Sequence, residues 1–138
     1  MSNIATVQAM YEAFGRGDVP SILEHLADDV AWESWADNSA QKAGVPWLLP
    51  RTGKAAVAEF FGIAATMGIT EFTVLGLLEG GNEVAAPFVI AADVPGGQPY
   101  RDEEIHLWTF NDAGKVTRLR HYVDTAKHIA SAPVGATT

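Results

Sequence analysis

The chain has 138 residues, 48% of them hydrophobic and 19% charged, which is enough to bury one core and excludes a disordered chain. Nine basic against seventeen acidic residues leave a net charge of -8, which repels phosphate backbones and anionic headgroups, so neither nucleic acid nor a membrane surface is an expected partner. No cysteine is present, which removes disulfides, thiolate metal sites and cysteine nucleophiles together. The start of the chain shows no basic segment leading into an apolar one, and no apolar run reaches about 18 residues, so a cytoplasmic protein is expected.

From Asn3 to Arg16 the residues Ile4, Val7, Tyr11 and Phe14 recur at three- and four-residue steps, the repeat of one helical face, and Gly15 and Gly17 end the helix. Asp18 stands where an N-cap belongs, with Pro20 in the first turn, and Ile22, Leu23 and Leu26 give a short second helix its apolar side. A strand is expected from Val30 to Ser34, centred on Trp32. The segment Trp35 to Thr52 has no period but carries Trp35, Trp47, Leu48 and Leu49, so it reads as a loop that covers something apolar. Helical spacing returns over Lys54 to Met67, with Thr52 as the expected cap. Strands follow over Thr70 to Glu79, Glu83 to Ala92, Arg101 to Phe110 and Val116 to Asp124, separated by turns rich in glycine, asparagine and proline. The tail from Ala126 has room for a helical turn before Pro133, and Val134 to Thr138 is expected to fray.

Helices first and an antiparallel meander afterwards make one α+β domain over residues 1–138, with three N-terminal helices packed on a curved sheet that encloses a pocket. Strand alternation places Arg120, Tyr122 and Asp124 on one face of the last strand and His121 and Val123 on the other; the first three are read as the wall of a site. The opposite sheet face carries Ile105, Leu107, Leu119 and Val123, an apolar surface that predicts a homodimer.

The order of the helix, Gly-Arg-Gly-Asp hairpin, Leu-Ala-Asp-Asp-Val strand, proline-containing loop, Arg-Thr-Gly-Lys helix and closing Asn-Asp-Ala-Gly-Lys-Val turn resembles the NTF2-like superfamily over roughly Ile4 to His128. Within it, the chain is most similar to the SnoaL-like polyketide cyclases and the ketosteroid-isomerase-related proteins. The resemblance implies an NTF2-like cone. Compared with true ketosteroid isomerases, Met10 stands where the family has its oxyanion-hole tyrosine, Ser34 where it has its base, and His106 where it has a protonated aspartic acid. Steroid isomerisation by that constellation is therefore not expected. The cyclases end the last strand in an Arg-x-Tyr-x-Asp pattern, which Arg120, Tyr122 and Asp124 match, and an aspartate of this region is their base.

Asp124 is accordingly the first candidate for a base, since a carboxylate in an apolar cavity is desolvated and its pKa rises. The plainer role also stays open: Asp124 can cap the C-terminal turn or pair with Arg120. His106, sharing a face with Glu104, Trp108 and Phe110, is the candidate acid or oxyanion donor, and Tyr122 a hydroxyl that assists; each can equally be a packed residue. Trp32, Trp35, Trp47 and Trp108, with Met10, Tyr11, Phe14 and Arg120, are the expected substrate-contacting set, suited to a cyclic or aromatic ligand. His121, Asp124 and His128 have a spacing reminiscent of a metal triad, but alternation puts His121 and Asp124 on opposite faces, so no metal is expected, and no nucleotide or cofactor fingerprint is found.

The expected function is a cofactor-independent cyclase, isomerase or lyase acting on a small, largely apolar carbonyl compound. The alternatives are a non-catalytic dimeric module binding a hydrophobic small molecule, and a regulatory domain whose dimer face is the function.

Overall fold

The computed structural model of the chain describes residues 1–35 and 37–133, so the expected fraying of Val134 to Thr138 lies outside it. Helix α1 spans Asn3–Gly15; Ser2 caps it by accepting from the Ala5 N–H at 3.1 Å, and Val7, Met10 and Ala13 form its buried face. Asp18 caps α2, Val19–Glu24, as the sequence predicts. The strand β1, Leu26–Trp32, begins earlier than expected and takes Leu26 from the predicted second helix. Beyond it, the loop contains a short helix α3, Ser39–Lys42, a 3-10 turn at Pro46–Leu48, and a two-residue strand β2, Arg51–Thr52. Helix α4, Lys54–Ala64, is entered through Gly53 at φ +88°, a left-handed backbone that suits glycine, and Thr52 does not cap it.

The meander consists of β3 (Ile69–Val74), β4 (Leu78–Gly80), β5 (Glu83–Ala92), β6 (Tyr100–Phe110) and β7 (Val116–Tyr122). The predicted strand from Thr70 to Glu79 is thus two strands. The sheet order is β2-β1-β7-β6-β5-β3, with β4 also on β5, and β1 runs parallel to β7 while the other pairs are antiparallel. After β7 the chain turns into α5, Thr125–Ser131, longer than the single turn expected from Ala126. Among the described residues, no helix is long and apolar enough to cross a membrane.

Strands β5 and β6 are half-buried ribbons: their burial alternates residue by residue, so Tyr100, Asp102, Glu104, Trp108 and Phe110 lie on the concave side, where His106 joins them by parity. Helices α1, α2 and α4 pack on that side through Val7, Met10, Ile22, Val57 and Phe61, and a second apolar cluster joins the loop residues Val45, Trp47 and Leu48 to β5 and Tyr100. The fold is therefore the expected α+β cone.

The facing of β7 is opposite to the sequence expectation. Phe110 pairs with Val116 but Thr109 pairs with Arg118, a one-residue bulge in β7. Continued without that bulge, the hairpin would have set Arg120 opposite His106. With it, His121 lies opposite His106 and Leu119 opposite Trp108, while Arg120 and Tyr122 lie opposite Leu107 and Ile105 on the convex side. Leu119, expected on the outer face, is fully buried, and Val123 packs against the second apolar cluster.

Candidate functional site

The concave side of the sheet, closed by the helices and the 3-10 turn, surrounds a cavity. Its free space is about 80 Å³, several times the roughly 10–15 Å³ that one water needs on the same measure. Met10, Tyr11, Phe14, Trp32, Trp47 and Trp108 supply apolar wall. Its carboxylates and imidazoles are Glu33 just after β1, Glu104 and His106 on β6, His121 on β7 and His128 on α5.

Glu33 reaches the cavity because the backbone leaves strand geometry there, at φ +52°, so that Trp32 and Glu33 are both buried although they are neighbours in sequence. Both its oxygens lie near His121 Nδ1, at 2.8 and 3.1 Å, and His121 Nε2 lies 2.7 Å from Glu104 Oε1. Each ring nitrogen thus faces a carboxylate, the arrangement that favours an imidazolium donating from both sides. Burial alone would push the His121 pKa down; the charge of Glu33 and the bonds to Glu104 and Glu33 outweigh it and raise the pKa to about 10.

Glu104 Oε2 lies 2.6 Å from His128 Nε2, and His128 Nδ1 accepts the Trp47 indole N–H at 2.8 Å. Burial would raise the Glu104 pKa, but the donors from His121 and His128 hold it well below the usual carboxylate range. Asp102 lies 3.3 Å from the same His128 nitrogen and accepts the backbone N–H of Asp124 at 2.9 Å. Burial raises the Asp102 pKa, the Asp124 N–H opposes this, and Glu104 adds to the rise.

Asp102, Glu104 and His128 bring ligand-type atoms within 4.8 Å of one another, a spacing that suits a cation. The donor set does not fit one. An indole N–H only donates, so His128 Nδ1 is an acceptor and the proton of the neutral ring sits on Nε2, the nitrogen that faces the carboxylates. The cluster is a hydrogen-bond relay.

A second polar chain crosses the other side of the cavity. Trp108 Nε1 donates to the Tyr11 hydroxyl at 3.1 Å, and that hydroxyl lies 2.7 Å from His106 Nδ1. Tyr11 has no other acceptor among the described residues, so its proton goes to His106 Nδ1, leaving His106 with an Nε2–H that has no protein partner there and belongs to the cavity wall. Burial and the nearby charge of His121 push the His106 pKa well down, so the ring is neutral. Phe88 lies tilted beside it, with ring centroids 4.3 Å apart and planes at 33°.

The other predicted site residues lie elsewhere. Asp124 is an exposed N-cap of α5, its carboxylate accepting from the Lys127 N–H at 3.3 Å, which is the plainer of its two expected roles. Tyr122 packs on the partly exposed Trp35 outside the cavity, ring centroids 4.6 Å apart. Arg120 points to the convex side, its buried Nε without a partner among the described residues, and it makes no ion pair with Asp124 or Glu104 there. The residues not anticipated as functional are Glu33, Glu104, Asp102, His121 and His128. One signal was available for two of them: Asp102, Glu104 and His106 alternate along one strand, which puts all three on the same face.

The family model of the SnoaL-like domain matches residues 7–119. The chain belongs to the SnoaL-like domain family. No curated protein matches its sequence at a significant level. Among solved structures, this SnoaL-like domain is similar to an NTF2-like protein of unknown function from Burkholderia pseudomallei K96243, with 26% identity, coverage of 96% of this chain and 98% of that one, and a TM-score of 0.78. It is also similar in fold to TerC, co-crystallised with polyporic acid (24% identity, 90% and 92% coverage, TM-score 0.74). A third is RV0760c of Mycobacterium tuberculosis, in complex with estradiol-17β-hemisuccinate (23% identity, 92% and 98% coverage, TM-score 0.74).

Proposed function

We propose that this SnoaL-like domain is a cofactor-independent acid/base catalyst, a cyclase, isomerase or lyase, for a small, largely apolar cyclic or aromatic substrate bearing a carbonyl. The observation that carries this reading is the ionic relay of Glu33, His121 and Glu104 set into the wall of a cavity otherwise built of aromatic and aliphatic side chains. Glu104 takes one strong N–H donor on each oxygen and is a poor proton acceptor; Glu33 faces only His121 and keeps lone pairs free. Glu33 is therefore the proposed base.

In the proposed step a Glu33 oxygen takes a proton from the carbon next to the substrate carbonyl. The C–H electron pair becomes the enolate double bond, and the carbonyl π pair moves onto oxygen. That oxygen accepts from His106 Nε2–H, a bond strengthened as charge grows because Trp108, Tyr11 and His106 donate in series. The proton is then returned from Glu33 to another carbon or oxygen of the intermediate. A positioned base of this kind is worth about 10²–10⁴-fold and an oxyanion donor about 10²–10³-fold.

The test uses 2-tetralone, an apolar bicyclic ketone with acidic C–H bonds, and follows deuterium exchange at C1 by NMR. Saturable acceleration over buffer is expected. A second reading is favoured by the internal bonding of both His121 nitrogens and both Glu104 oxygens: a binding module holding a hydrophobic molecule without reacting it. Saturable quenching of tryptophan fluorescence by tetralone with no acceleration of exchange would decide for that module.

We further propose a homodimer through the convex sheet face, where Ile105 is 41% exposed beside Pro87, Val89 and Leu107. Sedimentation of Ile105→Glu as a monomer and of the parent chain as a dimer is expected; a monomeric parent chain ends this proposal.

A further inference from the structure

We infer that Trp47 and His128 are positioning residues acting through Glu104: together they fix it as a hydrogen-bond acceptor and so reserve Glu33 as the carboxylate that exchanges protons with substrate. This rests on the acid/base reading above and adds to it two residues that need not touch the reacting atoms.

The geometry sets a direction along the relay. The Trp47 N–H, 2.8 Å from His128 Nδ1, cannot reverse its role, whereas a histidine flanked by hydroxyls or water could carry its proton on either nitrogen. With Nδ1 occupied as an acceptor, Nε2–H donates to Glu104 Oε2 at 2.6 Å. The other Glu104 oxygen receives His121 Nε2–H at 2.7 Å. A carboxylate with one strong donor on each oxygen is a weak proton acceptor, and its retained charge keeps both protons on His121, whose second N–H holds Glu33 in place. Trp47, His128, Glu104 and Glu33 are buried, at 5%, 1%, 2% and 3% exposed, and the His121 side chain between the two carboxylates is 10% exposed.

The positions follow from separate parts of the chain. Trp47 comes from the 3-10 turn and stacks on Tyr100, their ring planes 7° apart. His128 comes from α5, whose start is tied down by Asp102 receiving the Asp124 N–H. The titratable groups around Glu104 are His121 on β7, His128 on α5, Asp102, His106 and Tyr100 on its own strand, and Glu33 beyond His121. Of these, only His128 has its tautomer fixed by a group that cannot titrate.

The test is side-chain ¹⁵N NMR of the ligand-free full chain near neutral pH. Expected in the wild type are a pyridine-type Nδ1 and a protonated Nε2 on His128, and two protonated nitrogens on His121. A protonated Nδ1 on His128 would overturn the inference, and this result needs no variant. In Trp47→Phe, which keeps an aromatic ring beside Tyr100 but removes the N–H, His128 is expected to gain a proton on Nδ1, and His121 to lose its second proton at a lower pH than in the wild type. A folded Trp47→Phe protein with an unchanged His128 spectrum would remove Trp47 from the relay. Because no substrate enters these measurements, they can fail while tetralone exchange succeeds, or succeed while exchange fails.

Discussion

Raising the pH from neutral should steadily destabilise this protein, and His121 should be the cause. In the unfolded chain His121 loses its proton near 6.5, whereas in the fold it keeps it to about 10. Between these values the native state holds one more proton than the unfolded state, so stability must fall as pH rises. One extra proton gives a slope of about 1.4 kcal/mol per pH unit. Over two units the loss is about 3 kcal/mol, a substantial part of the roughly 5–15 kcal/mol that holds a domain together. On the acid side the signs reverse. Glu104 is held below its ordinary 4.5 and His106 below its ordinary 6.5, so both favour unfolding as pH falls through those values. Urea denaturation followed by tryptophan fluorescence at pH 7, 8 and 9 would read the slope from the transition midpoints. In Glu33→Gln the largest contribution that holds the proton on His121 is gone, so the total alkaline loss should be smaller. A midpoint that stays flat from pH 7 to 9, or a decline of equal size in Glu33→Gln, would refute a charged His121 between two carboxylates.

Two further outcomes test the architecture around the relay. Asp124→Ala should cost about 1 kcal/mol, the usual loss of an N-cap, read as a lower urea midpoint, because Asp124 caps α5 from an exposed position. Gly97→Ala should lower the melting temperature and loosen α5, since a Cβ there would collide with the Ser131 carbonyl, which also accepts the Gln98 N–H; overpacking of this kind costs about 1–3 kcal/mol, and unchanged amide-exchange protection in α5 would contradict it.

The fold was legible because its signals are local. Apolar spacing marked α1 and α4, Asp18 and the glycine turns marked boundaries, and the shared face of Glu104, His106, Trp108 and Phe110 marked a half-buried strand. The site was legible only in part, for two physical reasons. A single bulge between Thr109 and Phe110 on one side and Val116 and Arg118 on the other reverses the facing of β7, exchanging Arg120 and Tyr122 for His121, and no residue in that turn announces it. Glu33 breaks alternation through a left-handed backbone that glutamate seldom adopts, so pattern alone puts its side chain outside. Tyr11, expected as apolar lining, does line the cavity, but its hydroxyl also orients His106, a contact between residues 95 positions apart.

The central claim is that Glu33, and not the Arg-x-Tyr-x-Asp aspartate, takes the substrate proton. Deuterium exchange into 2-tetralone by Glu33→Gln and by Asp124→Asn, each verified as folded, tests it most directly. Loss of about 10²-fold or more in Glu33→Gln, with exchange by Asp124→Asn close to that of the parent chain, is the predicted result. Undiminished exchange in Glu33→Gln, or its loss in Asp124→Asn, would contradict the account.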